Sequence, residues 1–252
     1  MGLVGELQFS GGASHRCINH GEKHVPRRDI VTGSNGSGSS QTEASVLHER
    51  GISAFQRGEI EVALKLMLRA CGNAEAPAIW HRNYAEMLDR HGQSEAAEGA
   101  ARLAVQLDPD CASAWETLGT ILVQRDLLEE SCNCYEAAVR IDATFVQALN
   151  NLAVTLDRLG QLQSAEERYR QVLCLVPDNA DIQLNLATLL GELDRHREGL
   201  EIARKVLDRC PNMIRAHFLV TEFETILNRG SIAGWVKRAP AKRSKQNAML
   251  RH

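Results

Sequence analysis

The chain has 252 residues, 44% of them hydrophobic, 24% charged and only 4% aromatic, and its net charge is −3. That balance is ordinary for a water-soluble chain, and so few aromatic residues suit alanine- and leucine-rich helices better than sheets. No run approaches the roughly 20 apolar residues of a membrane span. Seven irregularly spaced cysteines with no secretory signal before them lead us to expect a reducing, cytoplasmic setting.

Residues 1–43 lack helical periodicity and are expected to be a disordered segment, with Gly33 to Ser40 a flexible Gly/Ser linker. No Lys-Ser/Thr pair follows its glycines, as a phosphate loop would need. Gly2 invites myristoylation, but Glu6 stands where that motif takes Ser or Thr. His15, Cys17, His20 and His24 are the one cluster of metal-ligand types. It has a single cysteine and no surrounding fold, unlike a structural zinc site, so neither metal nor cofactor is expected.

From Ala44 to Met213 the sequence repeats with a period of 34 in five consecutive units, 44–77, 78–111, 112–145, 146–179 and 180–213. The unit 112–145 reads as one helix with Trp115, Leu118, Gly119 and Leu122, a turn near Asp126, and a second helix with Tyr135 and Ala138. The eighth position is always small (Gly51, Ala85, Gly119, Ala153, Ala187), as is the twentieth (Ala63, Ala97, Ser131, Ala165, Gly199). Small residues there let the two helices of a pair approach to about 8–10 Å. Gly58, Gly92 and Gly160 suit left-handed ends of the first helix, and Pro109, Pro177 and Pro211 stop the second. The first unit lacks that proline and has Gly72 and Pro77 nearby.

After the last unit, residues 214–228 read as a capping helix, with Phe218, Leu219, Phe223, Ile226 and Leu227 apolar and Glu222, Glu224 and Thr225 polar. Residues 229–252 read as a basic disordered tail with seven Lys or Arg and no acid, which leaves −10 on the rest of the chain. Such a tail could steer towards nucleic acid or fold back on the acidic body. The loss of phase there also resembles the end of a truncated longer protein.

The pattern resembles the tetratricopeptide repeat family, and within it the repeat half of bacterial O-linked N-acetylglucosamine transferase-type proteins. Departures are few: Asp126 replaces the turn glycine, Ala143 the proline, and Trp80 sits one place early. The resemblance implies an all-α, right-handed superhelical solenoid of about five helix-turn-helix repeats plus a capping helix. It also puts the first helix of each pair on the concave wall, with the sixth position facing a ligand. That position holds Asn83, Thr117, Asn151 and Asn185. Repeats about 10 Å apart would match one amide to three residues of an extended peptide at roughly 3.3 Å each. Asn150, Asp89, Arg90, Asp157 and Arg158 complete the candidate peptide-binding set. The carboxylate clamp of chaperone-binding repeats does not fit: His48, Ile52, Asn83, Ser113 and Thr117 stand at its places, and Asn83 alone matches.

No candidate catalytic residue emerges. His81, His91, His196 and His217 have no companion nucleophile or acid at recurring spacing. Cys132 and Cys134 point to different sides of one helix and read as packing residues. The expected function is a non-catalytic scaffold that binds an extended segment of a partner protein. The alternatives are a split or truncated substrate-recruiting half of a glycosyltransferase, and a basic-tailed nucleic-acid adaptor.

Overall fold

In the structure, a computed structural model, residues 37–238 are described, with side chains over 42–229. Among them eleven helices follow one another and no strand occurs. The first helices of the pairs, the A helices, are α1 (Ser37–Gln56), α3 (Ala78–Arg90), α5 (Ala112–Gln124), α7 (Val146–Arg158) and α9 (Ala180–Glu192). Their B partners are α2 (Ile60–Cys71), α4 (Ser94–Leu107), α6 (Leu128–Ile141), α8 (Leu162–Leu175) and α10 (His196–Arg209), and α11 (Ile214–Arg238) closes the series.

Each A helix ends one residue before a cap, and the next residue takes a left-handed conformation: Gly58, Gly92, Asp126, Gly160 and Asp194, at φ between 58° and 80°. The amide that follows reaches back to the carbonyl five residues earlier, as from Glu59 to Ala54 (2.9 Å) and from Arg195 to Leu190 (2.8 Å). This is the geometry that satisfies the orphan carbonyls of a helix end. Asp126 replaces glycine because a short polar side chain tolerates the left-handed region. Asp194 does the same, a substitution the sequence reading missed. At the other end, α4, α8 and α10 stop two residues before Pro109, Pro177 and Pro211.

Between the helices of a pair the small residues do what their size suggests. A Cβ added at Gly51 would lie 2.9 Å from Met67 Sδ, and one added at Gly119 would lie 2.7 Å from the Tyr135 ring. Tyr135, Tyr169 and Met67 are almost wholly buried in these gaps, each contributing roughly 1.5–3 kcal/mol from removal of apolar surface. Cys134 joins the core of the first three pairs and Cys132 that of the third to fifth, so the two thiols do point to opposite sides. Two ionic clasps 68 residues apart reinforce alternate joints. Glu98 meets Arg102 (2.7 Å) and Arg125, and Glu166 meets Arg170 (2.8 Å) and Arg195 (2.7 Å). Solvent screens these partly exposed pairs, so packing outweighs them.

Two boundaries, the start of α1 and the end of α11, differ from the sequence reading. Helix α1 starts at Ser37, not Ala44, and takes in the last four residues of the Gly/Ser linker. Once a helix is nucleated, each added residue gains a hydrogen bond, and no proline stands in the way. Helix α2 has 12 residues where the other B helices have 14, because the chain turns at Gly72. Helix α11 runs through Gly230 to Arg238. A mid-helix glycine costs only about 1 kcal/mol, and the residue disfavoured in a helix is Ala239, which precedes Pro240. Phe223 anchors α11, its ring filling space that a Cβ at Gly191 or Gly199 would occupy at 2.8 Å.

Candidate functional site

Neighbouring A helices pack directly, α3 on α5, α5 on α7 and α9 on α11, whereas no two B helices approach comparably among the described residues. The A helices are therefore crowded onto the inner, concave side of the stack.

At three of the joints the sixth position of the A helix meets its predecessor. Asn83 Nδ2 lies 3.2 Å from His48 Nε2, and its Oδ1 accepts from Arg82 (2.8 Å). Thr117 donates to Glu86 Oε1 (3.4 Å), which also accepts from Arg82 (2.8 Å). Asn151 Nδ2 donates to Glu116 Oε1 (2.9 Å). Three of the four ladder residues thus hold adjacent repeats together. The half-buried Asn185 side chain makes no hydrogen bond to another described residue, and Asn150 Oδ1 is buried without a partner.

The remaining candidates sit nearly two turns further along. Asp89 Oδ2 accepts from Gln124 (2.8 Å), while its Oδ1 is buried and unpartnered. Arg90 lies over the Phe55 ring, 5.5 Å from its centre. Arg158 donates to Asp126 (3.0 Å) and so leaves Asp157 beside Glu192. Burial, with the charge of Glu192 added, pushes the Asp157 carboxyl up to about 6. Burial likewise raises Asp89.

The group that sequence reasoning missed is Glu116. It is only 9% exposed, and its Oε1 accepts from Thr120 (3.1 Å), Gln147 (3.2 Å) and Asn151 (2.9 Å). Burial raises its carboxyl to about 7, against the pull of Thr120, Arg82 and Asn151. It occupies the fifth position, which holds His48, Arg82, Asn150 and Leu184 in the other repeats. Those residue types share no common chemistry, so the 34-residue period does not single it out. The His48 ring stacks on Trp80 at 4.9 Å, and burial lowers its basicity.

Cys132 and Cys134 are buried, with thiols pushed up to about 11 and about 12 by burial first of all. His81 is buried between helix pairs, and His217 meets the Pro211 carbonyl at 2.7 Å. Among the described residues no group of three His, Cys, Asp or Glu is placed to hold a metal ion. The cluster His15, Cys17, His20 and His24, and the basic residues from Lys242 onward, lie outside the described residues. No described helix is long and apolar enough to cross a membrane.

Family models described as tetratricopeptide repeat match residues 48–112, 112–145 and 134–167. The second of these coincides with the unit read from the sequence as 112–145. Among curated proteins, Protein O-mannosyl-transferase TMTC1 of Mus musculus is 32% identical over 118 residues, 46% of this chain. Tetratricopeptide repeat protein 7A of Homo sapiens is 32% identical over 104 residues, 41% of this chain. The matched stretch spans 12% of each of those proteins. Among solved structures, YrrB, described as a TPR protein with an unusual peptide-binding site, superposes with a TM-score of 0.62 at 18% identity, over 72% of this chain and 93% of that one. MamA of Desulfovibrio magneticus RS-1 does so with a TM-score of 0.63 at 18% identity, over 68% and 97%. At such identities the likeness establishes the solenoid fold.

Proposed function

The chain belongs to the tetratricopeptide repeat family, and from that premise we propose that it is a non-catalytic scaffold gripping an extended segment of a partner protein along its inner wall. The observation that carries this reading is the unused polar capacity on that wall. The Asn185 side chain makes no hydrogen bond within the described chain, and Asn150 Oδ1 is buried without a donor one repeat before it. An amide offers both donors and an acceptor, so it can pair with a peptide bond whatever side chain the ligand carries. Binding of this kind draws its affinity from the main chain and its selectivity from shape. The unusual peptide-binding site of YrrB is a property of that protein; here it adds support by analogy of fold.

The experiment is a selection of extended peptides on the full chain, followed by affinity measurement for Asn185→Ala. Loss of one net hydrogen bond of about 0.5–1.5 kcal/mol lowers affinity roughly two- to tenfold. Peptides that bind the variant and the unaltered chain alike would remove the wall from the account.

A second reading, a substrate-recruiting repeat segment for a glycosyltransferase, is favoured by the likeness to an O-mannosyl-transferase. Sugar transfer that appears only when a separate catalytic chain is supplied would support it over the simple scaffold.

A further inference from the structure

The joint between the third and fourth helix pairs carries a group that peptide binding alone does not require. Three donors converge on one oxygen of Glu116, two of them, Gln147 and Asn151, from the facing helix α7. Hydrogen bonds to an ionised oxygen are about twice as strong as neutral ones, so the charged carboxylate holds α7 against α5 at the wall. Holding a charge there has a cost, because Glu116 is buried and no cation is bonded to it. From α3 it faces Arg82 and Glu86, opposite charges joined to each other at 2.8 Å. From α6 it faces Tyr135, whose hydroxyl lies 3.1 Å from that of Thr120. From α7 its bonded partners are the uncharged Gln147 and Asn151. Burial and Glu86 together outweigh the opposing donors and Arg82, and the carboxyl changes charge at about 7.

We propose that Glu116 is a proton-operated latch on the inner wall: ionised, it keeps the Gln147 and Asn151 amides for itself, and neutral, it releases them to the backbone of an extended ligand. The ligand side of this proposal rests on the peptide-binding reading; the latch itself does not. A neutral carboxyl still accepts, but more weakly, and its new O–H needs an acceptor, such as the Thr120 hydroxyl, that the ionised form did not. Asn151 belongs to the candidate ladder, so freeing its amide adds a rung next to Asn185. Linkage makes the effect reciprocal: a ligand that takes the two amides also favours uptake of the proton.

The test uses the full chain with isotope-labelled side-chain amides, followed by magnetic resonance from about pH 5.5 to about pH 8.5, a range that spans the ionisation. The Asn151 and Gln147 amide signals are expected to move together near neutrality, in step with the Glu116 carboxyl carbon, and to stay still in Glu116→Gln. The carboxyl carbon is read in the unaltered chain, so the test survives a variant that folds poorly. A peptide selected at about pH 6 is expected to bind roughly three- to tenfold more weakly at about pH 8, the worth of one or two hydrogen bonds. Amide signals that do not follow the carboxyl, or follow pH equally in Glu116→Gln, overturn the latch. So does a peptide whose Asn185-dependent affinity is the same at both pH values, a result that leaves the peptide-binding wall intact. If Asn185→Ala changes no peptide's affinity, the wall reading falls instead, and the amide signals still decide the latch.

Discussion

Replacing Glu116 by glutamine removes one ionisable group from the wall yet leaves an oxygen to accept from Thr120, Gln147 and Asn151. The ordinary value for a glutamate is 4.5, and in the folded chain this one stands at about 7. A raised carboxyl means that the folded chain binds the proton more tightly than the unfolded chain between those values. Stability therefore rises as pH falls from 7 towards 4.5, and is lowest above 7, where the buried group is charged. A displacement of about 2.5 pH units at about 1.4 kcal/mol each gives an upper limit of about 3.5 kcal/mol on that cost. The new amide brings N–H groups without matched acceptors, which offsets about 1 kcal/mol. A net gain of roughly 2 kcal/mol in a chain of this size raises the melting midpoint by about 4–8 °C. Circular dichroism melts of both proteins at about pH 8.5 and about pH 4.5 measure it, with the gain expected only at the higher pH. Asp157, raised to about 6 by burial and Glu192, adds a pH dependence of the same sign to both proteins and cancels in the difference. No gain at high pH, or the same gain at both, would refute the burial argument.

Gly119→Ala is expected to destabilise the array by about 1–3 kcal/mol, because its Cβ would meet the Tyr135 ring at 2.7 Å inside a filled core; chemical unfolding of the variant checks this. Gly160→Ala meets no atom within 4 Å but must hold a left-handed conformation at φ 73°, so a loss of about 1–2 kcal/mol is expected, most of it recovered in Gly160→Asn. Iodoacetamide followed by mass mapping should label the exposed Cys174 and Cys210 well before the buried Cys132 and Cys134. Equal labelling under folding conditions would contradict the packing assigned to the latter two.

The array itself was legible in the sequence because its determinants are local and periodic. Gly58, Gly92 and Gly160 mark left-handed turns, Pro109, Pro177 and Pro211 mark helix ends, and the small residues at the eighth and twentieth positions mark close approach. Asp194 escaped notice because aspartate tolerates the left-handed region without announcing it. The ends of α1 and α11 were misplaced because a helix continues through glycine and serine until something stops it. The bonding of the wall was not legible for a different reason. Whether Asn151 faces a ligand or Glu116 depends on how one repeat is offset against the next, and the 34-residue period fixes spacing along the chain but not that offset. The neighbouring fifth position, from His48 through Arg82 and Glu116 to Asn150, completes the joint, and its residue types share no common chemistry.

Hydrogen–deuterium exchange of the full chain, with and without a selected extended peptide, locates the binding surface most directly. Slowed exchange concentrated on α5, α7 and α9, and lost in Asn185→Ala, is the expected result. Protection over α6 and α8 on the outer side, or a bound peptide that protects no A helix, would contradict binding at the inner wall.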